Sequence, residues 1–156
     1  NLLNKKFSVQ AQVKWPNDIL VRGRKISGML SEMEAEGDRV TFINIGIGIN
    51  VNNDPTFQAD RAISLREILK ESVSRKELLS MFLDAFENRV KHTNLDHVVS
   101  EWKQYVTMLN RKIRIVTRDE VSEGLAKDVD ENGTLILELA DGSVKEIVHG
   151  DCFHLG

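Results

Sequence analysis

Lys14-Trp15-Pro16-Asn17-Asp18 gathers a lysine, an asparagine and a carboxylate around a proline. Pro16 fixes its own φ, has no amide to donate and holds Trp15 extended, so the segment reads as a stiff turn at a sheet rim that keeps its polar side chains still. Arg22-Gly23-Arg24-Lys25 then places three cations in four positions, ahead of Ile26-Ser27-Gly28. Cations there suit a phosphate or a carboxylate. A lysine's compact charge can follow the oxygens of a phosphoryl group as charge builds up on them, and Ser27-Gly28 leaves strand backbone open to a flat ligand. Finally, Gly46-Ile47-Gly48-Ile49-Asn50-Val51-Asn52 strips side chains from one strand face at Gly46 and Gly48. A flat ring could lie on that bare backbone while the Asn50 amide reads its edge. Each segment alone has an ordinary structural explanation: Asp18 caps the turn, Trp15 fills the core, the charged hairpin tip is solvated, and the glycines mark a bulge. Their occurrence together, in this order, argues for one site.

Other routes to chemistry are closed. The chain has no G-x-x-x-x-G-K-[ST], no strand-borne G-x-G-x-x-G, no H-E-x-x-H and no G-x-S-x-G. His92, His97, His149 and His154 lack ligand-like spacing. Cys152 is the only cysteine, which leaves neither an intramolecular disulfide nor a cysteine zinc site.

The elements that must position the three segments follow from hydrophobic period. Val9, Ala11, Val13 and Trp15 alternate as in a half-buried strand, Ile19 to Val21 form a short second one, and Lys25 to Glu32 a third beyond the Gly23 turn. Gly37-Asp38 turns the chain into Arg39 to Asn50, whose apolar, β-branched middle predicts a central strand covered on both faces. After a loop over Asn52 to Ile63 the period becomes helical. Ser64 with Glu67 and Ser74 with Glu77 fit the capping box, so helices start near Leu65 and Arg75. Leu78, Leu79, Phe82, Leu83, Phe86 and Val90 form a stripe expected to face the sheet, and a third helix is expected over Asp96 to Tyr105 with Leu95, Val98, Val99, Trp102 and Tyr105 inward. Short strands return over 112–117, 123–129, 134–139 and 144–148, separated by the hairpin signals Asn132-Gly133 and Asp141-Gly142. The result is an α+β chain: an antiparallel or mixed sheet with helices on one face over 1–108, then a small SH3-like β-barrel over 109–156.

Length and composition fit one domain or two small ones. The 156 residues are 41% hydrophobic and 29% charged, with a formal net charge of −3, 10 Gly and 2 Pro. Those values exclude disordered and collagenous chains, and a mildly acidic chain is a poor nonspecific nucleic-acid binder. No apolar run is long enough for a transmembrane helix and no signal peptide is legible, so the cytoplasm is the expected compartment.

The three segments resemble the motifs KWPND, (K/R)K-I/L-(A/S)-G-I/V-L-x-E and GIGINVN of biotin protein ligases. Gly124-Leu125-Ala126-Lys127-Asp128-Val129-Asp130, Gly133-Thr134-Leu135 and His149-Gly150-Asp151 resemble the small C-terminal barrel of the same family. The resemblance implies a class II synthetase-like fold of biotin/lipoate ligase type, here incomplete. It also implies the family's reaction: biotin and MgATP give biotinyl-5′-AMP, and biotin then passes to one lysine of a carboxylase's biotin carrier domain. By position, Lys25 matches the lysine that meets the biotin carboxylate and the α-phosphate, with Asp18 and Lys14 as catalytic helpers at the turn. Gly28, Trp15, Gly46 and Gly48 are expected at the biotin and ATP site, and Asn17 and Asn50 match the amides that read adenine. Such chemistry needs positioning and charge stabilisation rather than a protein nucleophile.

The departure from the family pattern is the glycine- and arginine-rich loop of G-R-G-R-x-G type, with its partners for the biotin ureido group; none of it precedes Lys14. The chain is therefore expected to be the C-terminal half of a ligase, weak or inactive alone, exposing an apolar sheet edge and pairing either with the missing N-terminal half or, as related ligases do, with a second copy. No DNA-binding helix-turn-helix is visible. Two other readings stay open: a noncatalytic module that docks a carrier domain or subunit beside a vestigial nucleotide site, and a relative of the lipoate ligases.

Overall fold

The computed structural model describes residues 2–55, 61–92 and 97–155. Within them the chain is α+β and divides into two compact units, one of residues 1–11 and 17–91, the other of 12–16 and 92–156. The parts of the Asn52–Ile63 loop and of the third helix that fall on 56–60 and 93–96, Leu95 and Asp96 among them, lie outside the described residues.

In the first unit α1 (Leu2–Phe7) leads towards β2 (Asp18–Val21), β3 (Arg24–Glu36) and β4 (Arg39–Ile49), while β1 (Ala11–Lys14) runs mainly in the second unit. β2, β3 and β4 form an antiparallel meander. The turn between β2 and β3 has positive φ at both Arg22 and Gly23, as a two-residue hairpin of matching twist requires. α2 (Leu65–Leu69) and α3 (Arg75–His92) start where the serines predict, each with a Ser Oγ accepting the third-following amide, Glu67 N–H at Ser64 and Glu77 N–H at Ser74. Val21, Ile26, Val51, Ile63, Leu65 and Leu78 close the core under the start of β3. Asn52 ties the end of the meander to the α2–α3 connection, its Nδ2 donating to Val73 O at 2.8 Å and its Oδ1 accepting from Val73 N at 2.9 Å.

Two expectations fail here. β4 is not covered on both faces: it is the edge strand, and its whole length is exposed. Nor does the α3 stripe lie on the sheet. Leu78 enters the core, but Leu79, Leu83, Phe86 and Val90 are exposed. Period reveals that a face is apolar; it does not say whether the same chain supplies what the face packs on.

The second unit is a five-stranded antiparallel sheet of SH3-like kind in the order β8-β7-β6-β5-β9, built from β5 (Lys112–Val116), β6 (Val121–Val129), β7 (Leu135–Leu139), β8 (Val144–Ile147) and β9 (Asp151–His154). β9 had no hydrophobic signal because only Cys152 of its four residues turns inward. Trp15, Met108, Ile113, Ile115, Leu135 and Leu137 fill the core, against which Val99 and Trp102, both within α4 (Val98–Lys103), pack. The tight turns are held by carboxylates: Asp130 accepts from the amides of Asn132 and Thr134, and Asp141 from the amide and hydroxyl of Ser143. These bonds hold both carboxyls below the ordinary aspartate range. Among the described residues no helix is long and apolar enough to cross a membrane.

Gly124 on β6 leaves no room for a side chain against β7, since a Cβ there would stand 2.3 Å from Glu138 O. Gly124→Ala should destabilise the barrel by about 1–3 kcal/mol, the usual cost of overpacking. At Gly48 nothing lies within 4 Å of the same construction, so Gly48→Ala should leave the urea midpoint nearly unchanged. Urea unfolding of the two variants, followed separately by tryptophan fluorescence and far-UV circular dichroism, checks the contrast.

Candidate active site

The first unit brings five of the expected residues together on adjoining strands. Asp18 and Gly28 are directly paired across β2 and β3, and Gly28 is in turn paired with Gly48 across β3 and β4, so the three share one face. The register slips between Ile19 and Leu20, which brings Lys25 opposite Leu20 and lets its side chain fold back over Gly28. Lys25 Nζ meets Asp18 Oδ1 at 2.6 Å, with the lysine 46% exposed and the aspartate 17%. A Cβ at Gly28 would stand 2.9 Å from both Lys25 Cε and Nζ and 3.2 Å from Asp18 Oδ1. Gly28 is thus the space in which the ion pair lies. Beyond it, Gly48 and Gly46 continue the same face with no side chain, giving a bare strip of backbone beside a charged pair.

The asparagines are pinned rather than dangling. The Asn17 Nδ2 group donates to Met29 O while Met29 N–H donates to Asn17 O, docking the turn onto β3. Asn50 Nδ2 donates to Lys25 O at 3.4 Å, and Asn50 Oδ1 accepts from Asn53 Nδ2 at 2.9 Å. Ile63 N–H also donates to Lys25 O at 3.0 Å, so two neighbours fix the backbone that carries the lysine.

The sequence reading missed what holds that backbone from the other side. Arg24 donates from Nη1 to Ala62 O and pairs through Nη2 with Glu67, the acidic member of the Ser64 capping box. A signal existed in the capping box itself, whose glutamate could have been asked for a distant cation as well as for its own helix end. Asn52, expected at the site only as part of its motif, serves the fold through Val73.

Lys14 and Trp15 belong to the second unit. Trp15 is 2% exposed in the barrel core, and its Nε1–H is already donated to Gly133 O at 3.0 Å. Its ring is anchorage for the barrel. The Lys14 ammonium lies 5.5 Å from the centroid of the Phe153 ring, a cation–π distance. Burial, with the charges of Arg111 and Lys14 behind it, pushes the His154 imidazole below its ordinary value. Cys152 is no nucleophile: burial pushes its thiol up to about 11, against a smaller opposing pull from Lys14. Among the described residues no group of three or more His, Cys, Asp or Glu could hold a metal ion.

With this geometry in view, comparison with known proteins is decisive. Residues 3–50 match the model of the Biotin/lipoate A/B protein ligase family, and residues 108–155 match that of the Biotin protein ligase C terminal domain. The chain belongs to the biotin protein ligase family. It is 35% identical over 150 residues to the bifunctional ligase/repressor BirA of Bacillus subtilis, covering 92% of this chain and 46% of that protein. To the biotin–[acetyl-CoA-carboxylase] ligase of Mycobacterium tuberculosis it is 27% identical over 147 residues, 92% of this chain and 53% of that one. The apo biotin protein ligase of Aquifex aeolicus superposes with a TM-score of 0.80 at 26% identity, over 98% of this chain and 69% of that chain, and its complex with biotin and ATP with a TM-score of 0.76, over 97% and 64%. The chain spans about half the length of these sequence relatives.

Two consequences are measurable. Because the unfolded Cys152 thiol ionises near 9.0 and the folded one at about 11, the folded state holds the extra proton in between. Stability contributed by the neutral buried thiol is intact below pH 9 and is lost as the pH rises towards 11. Thiol titration with Ellman's reagent at pH 8 should find Cys152 unreactive until urea unfolds the barrel. Asn52→Ala should cost about 1–3 kcal/mol, since it leaves both polar groups of Val73 without their partner, and thermal unfolding reads that loss.

Proposed function

We propose that this chain is the part of a biotin protein ligase that holds the acyl-adenylate, acting in the cytoplasm, with the ligase unit over about 1–108 and the barrel over 109–156. In the first step a biotin carboxylate oxygen bonds to the α-phosphorus of ATP and pyrophosphate leaves. In the second, the amine of a lysine on a carboxylase's biotin carrier domain bonds to the acyl carbon, and AMP leaves with the electron pair while the amine loses its proton. Magnesium belongs to the MgATP substrate in this reading.

The observation that carries the reading is the Lys25–Asp18 pair stretched over Gly28 beside the bare backbone of Gly48 and Gly46. Charge must be neutralised where carboxylate and phosphate oxygens meet, and a half-exposed ammonium steadied by a carboxylate is pre-aimed for that. Asp18 keeps Lys25 from wandering. Gly28, Gly48 and Gly46 let the flat ring of the ligand approach main chain. Asn17 and Asn50 bond β3 on either side of Gly28, at Met29 and Lys25, and would read an adenine edge by amide hydrogen bonds. Lys14, immediately before Trp15, would serve the phosphates or the incoming carrier lysine, with Trp15 holding it in place through the barrel core. The family match over 3–50 and 108–155 supports the same assignment.

Isothermal titration of the purified chain with biotinyl-5′-AMP tests this. Lys25→Ala should weaken binding about 10- to 100-fold, as removal of one charge-assisted contact does. Gly28→Ala should weaken it too, because the methyl displaces the ammonium. Unchanged affinity in Lys25→Ala overturns the assigned role, and equal affinity for lipoyl-5′-AMP overturns the preference for biotin.

A further inference from the structure

α2 and α3 start alike. In each, a serine hydroxyl accepts the amide of a glutamate three residues on, at 3.3 Å. The hydroxyl is the cap, so the glutamate carboxylate is left to other work. That of Glu67 reaches Arg24, 43 positions earlier in the chain.

Arg24 and Lys25 are consecutive cations at the start of β3, and each meets a carboxylate from a different element: Arg24 meets Glu67 of α2, and Lys25 meets Asp18 of β2. The sorting matters, because a guanidinium released beside Lys25 would compete with it for Asp18 and for an anionic ligand. The Arg24 and Glu67 side chains are 30% and 39% exposed, and an ion pair so open to water adds little to stability. Its consequence is geometric.

A carboxylate can hold a strand end only if it is itself fixed. Ile63, Ser64 and Leu65 are at most 1% exposed. The first amides of α2, which lie too early in the helix for an intrahelical partner, are donated to the chain leaving β4: Leu65 N–H to Asn50 O at 3.0 Å and Arg66 N–H to Val51 O at 2.8 Å. Ile63 N–H is donated to Lys25 O at 3.0 Å, and Arg24 Nη1 to Ala62 O at 3.4 Å. The buried start of α2 thus ties the main chain at Lys25 to the main chain at Asn50, and Glu67 adds a charge to that tie.

We propose that Glu67 is a positioning residue for the candidate site: it holds Arg24 away from Asp18, leaves that carboxylate to Lys25 and fixes the main chain from which Lys25 reaches a ligand. The proposal rests on the reading of Lys25 as the ligand-facing charge, while its first readout needs no ligand.

Glu67→Gln removes the charge but keeps a capping-box residue, so α2 should start as before. In the purified chain, acylation of Lys25 by acetic anhydride, followed by mass spectrometry against the exposed Lys5 of the same molecules, should speed up about two- to fivefold, the factor an exposed ion pair commands. Exchange of the Ile63 amide should quicken, and affinity for biotinyl-5′-AMP should fall, each by a similar factor. Glu77→Gln, the same change in the other capping box, should alter none of the three, and both variants should keep the urea midpoint of the parent. In an Arg24→Met background Glu67→Gln should have no further effect, because Glu67 acts through Arg24. Unchanged Lys25 labelling in Glu67→Gln overturns the proposal, and so does an equal response in Glu77→Gln or an additive one beside Arg24→Met. Faster labelling in a protein whose parent binds no biotinyl-5′-AMP would count against the proposed function and leave the hold on Lys25 standing.

Discussion

Lys25 can fold back over β3 to meet Asp18 only because a glycine lies beneath its side chain. The ion pair with Asp18 occupies the volume that any side chain at position 28 would take, and Lys25 reaches it because the β2–β3 register slips by one residue just beyond Ile19. Once the ammonium is there, its backbone has to be rigid, or the pair would drift on a hairpin that is otherwise open to water. The structure meets that demand through the main chain: the Lys25 carbonyl is held by Ile63 and Asn50, and the preceding residue is clamped through Arg24 to Ala62 and Glu67. The exposed pair contributes little to stability by itself. Its value lies in aim.

Much of this was legible in the residues. The serines at 64 and 74 mark their helix starts because capping is local, settled by a hydroxyl and an amide three residues away. Gly23, Gly133 and Gly142 mark hairpins for the same reason, through their positive φ. The three motifs announced a site, and Asp18, Lys25, Gly28 and Gly48 do adjoin. What could not be read was anything decided by a distant partner: the clamp from Arg24 to Glu67 spans 43 positions, and the Trp15 hydrogen bond to Gly133 spans 118. Short polar segments hid two elements, α1 and β9, since a four-residue strand with one inward side chain has no period to detect.

Where the reading of β4 and α3 went astray, the error is informative. Ile43, Ile45, Ile47 and Ile49 alternate with Asn44, Gly46 and Gly48, and the glycines blur that alternation into an apolar run suited to a central strand. In fact the glycine face and the isoleucine face have different tasks. One keeps backbone bare beside a charge; the other is a surface that a second layer must cover. A strand with two such faces at the sheet edge is costly for an independent small domain, because it offers both its unpaired amides and its apolar side chains to any neighbour.

That cost is intelligible if the binding strip and the exposed face are parts of one device. A flat ligand lying on Gly46 and Gly48 touches the same strand whose other side carries Ile45 and Ile47. Among the described residues strand β4 has a hydrogen-bonded neighbour on one side only, so its position normal to the sheet is set by what packs on its two faces. A layer seated on the isoleucines would therefore stiffen the backbone on which a ring would rest, three residues away from the clamped Lys25 through the Gly28–Gly48 pairing. Affinity for the ligand would then depend on that layer without a single direct contact between them, because ordering β4 once serves both faces.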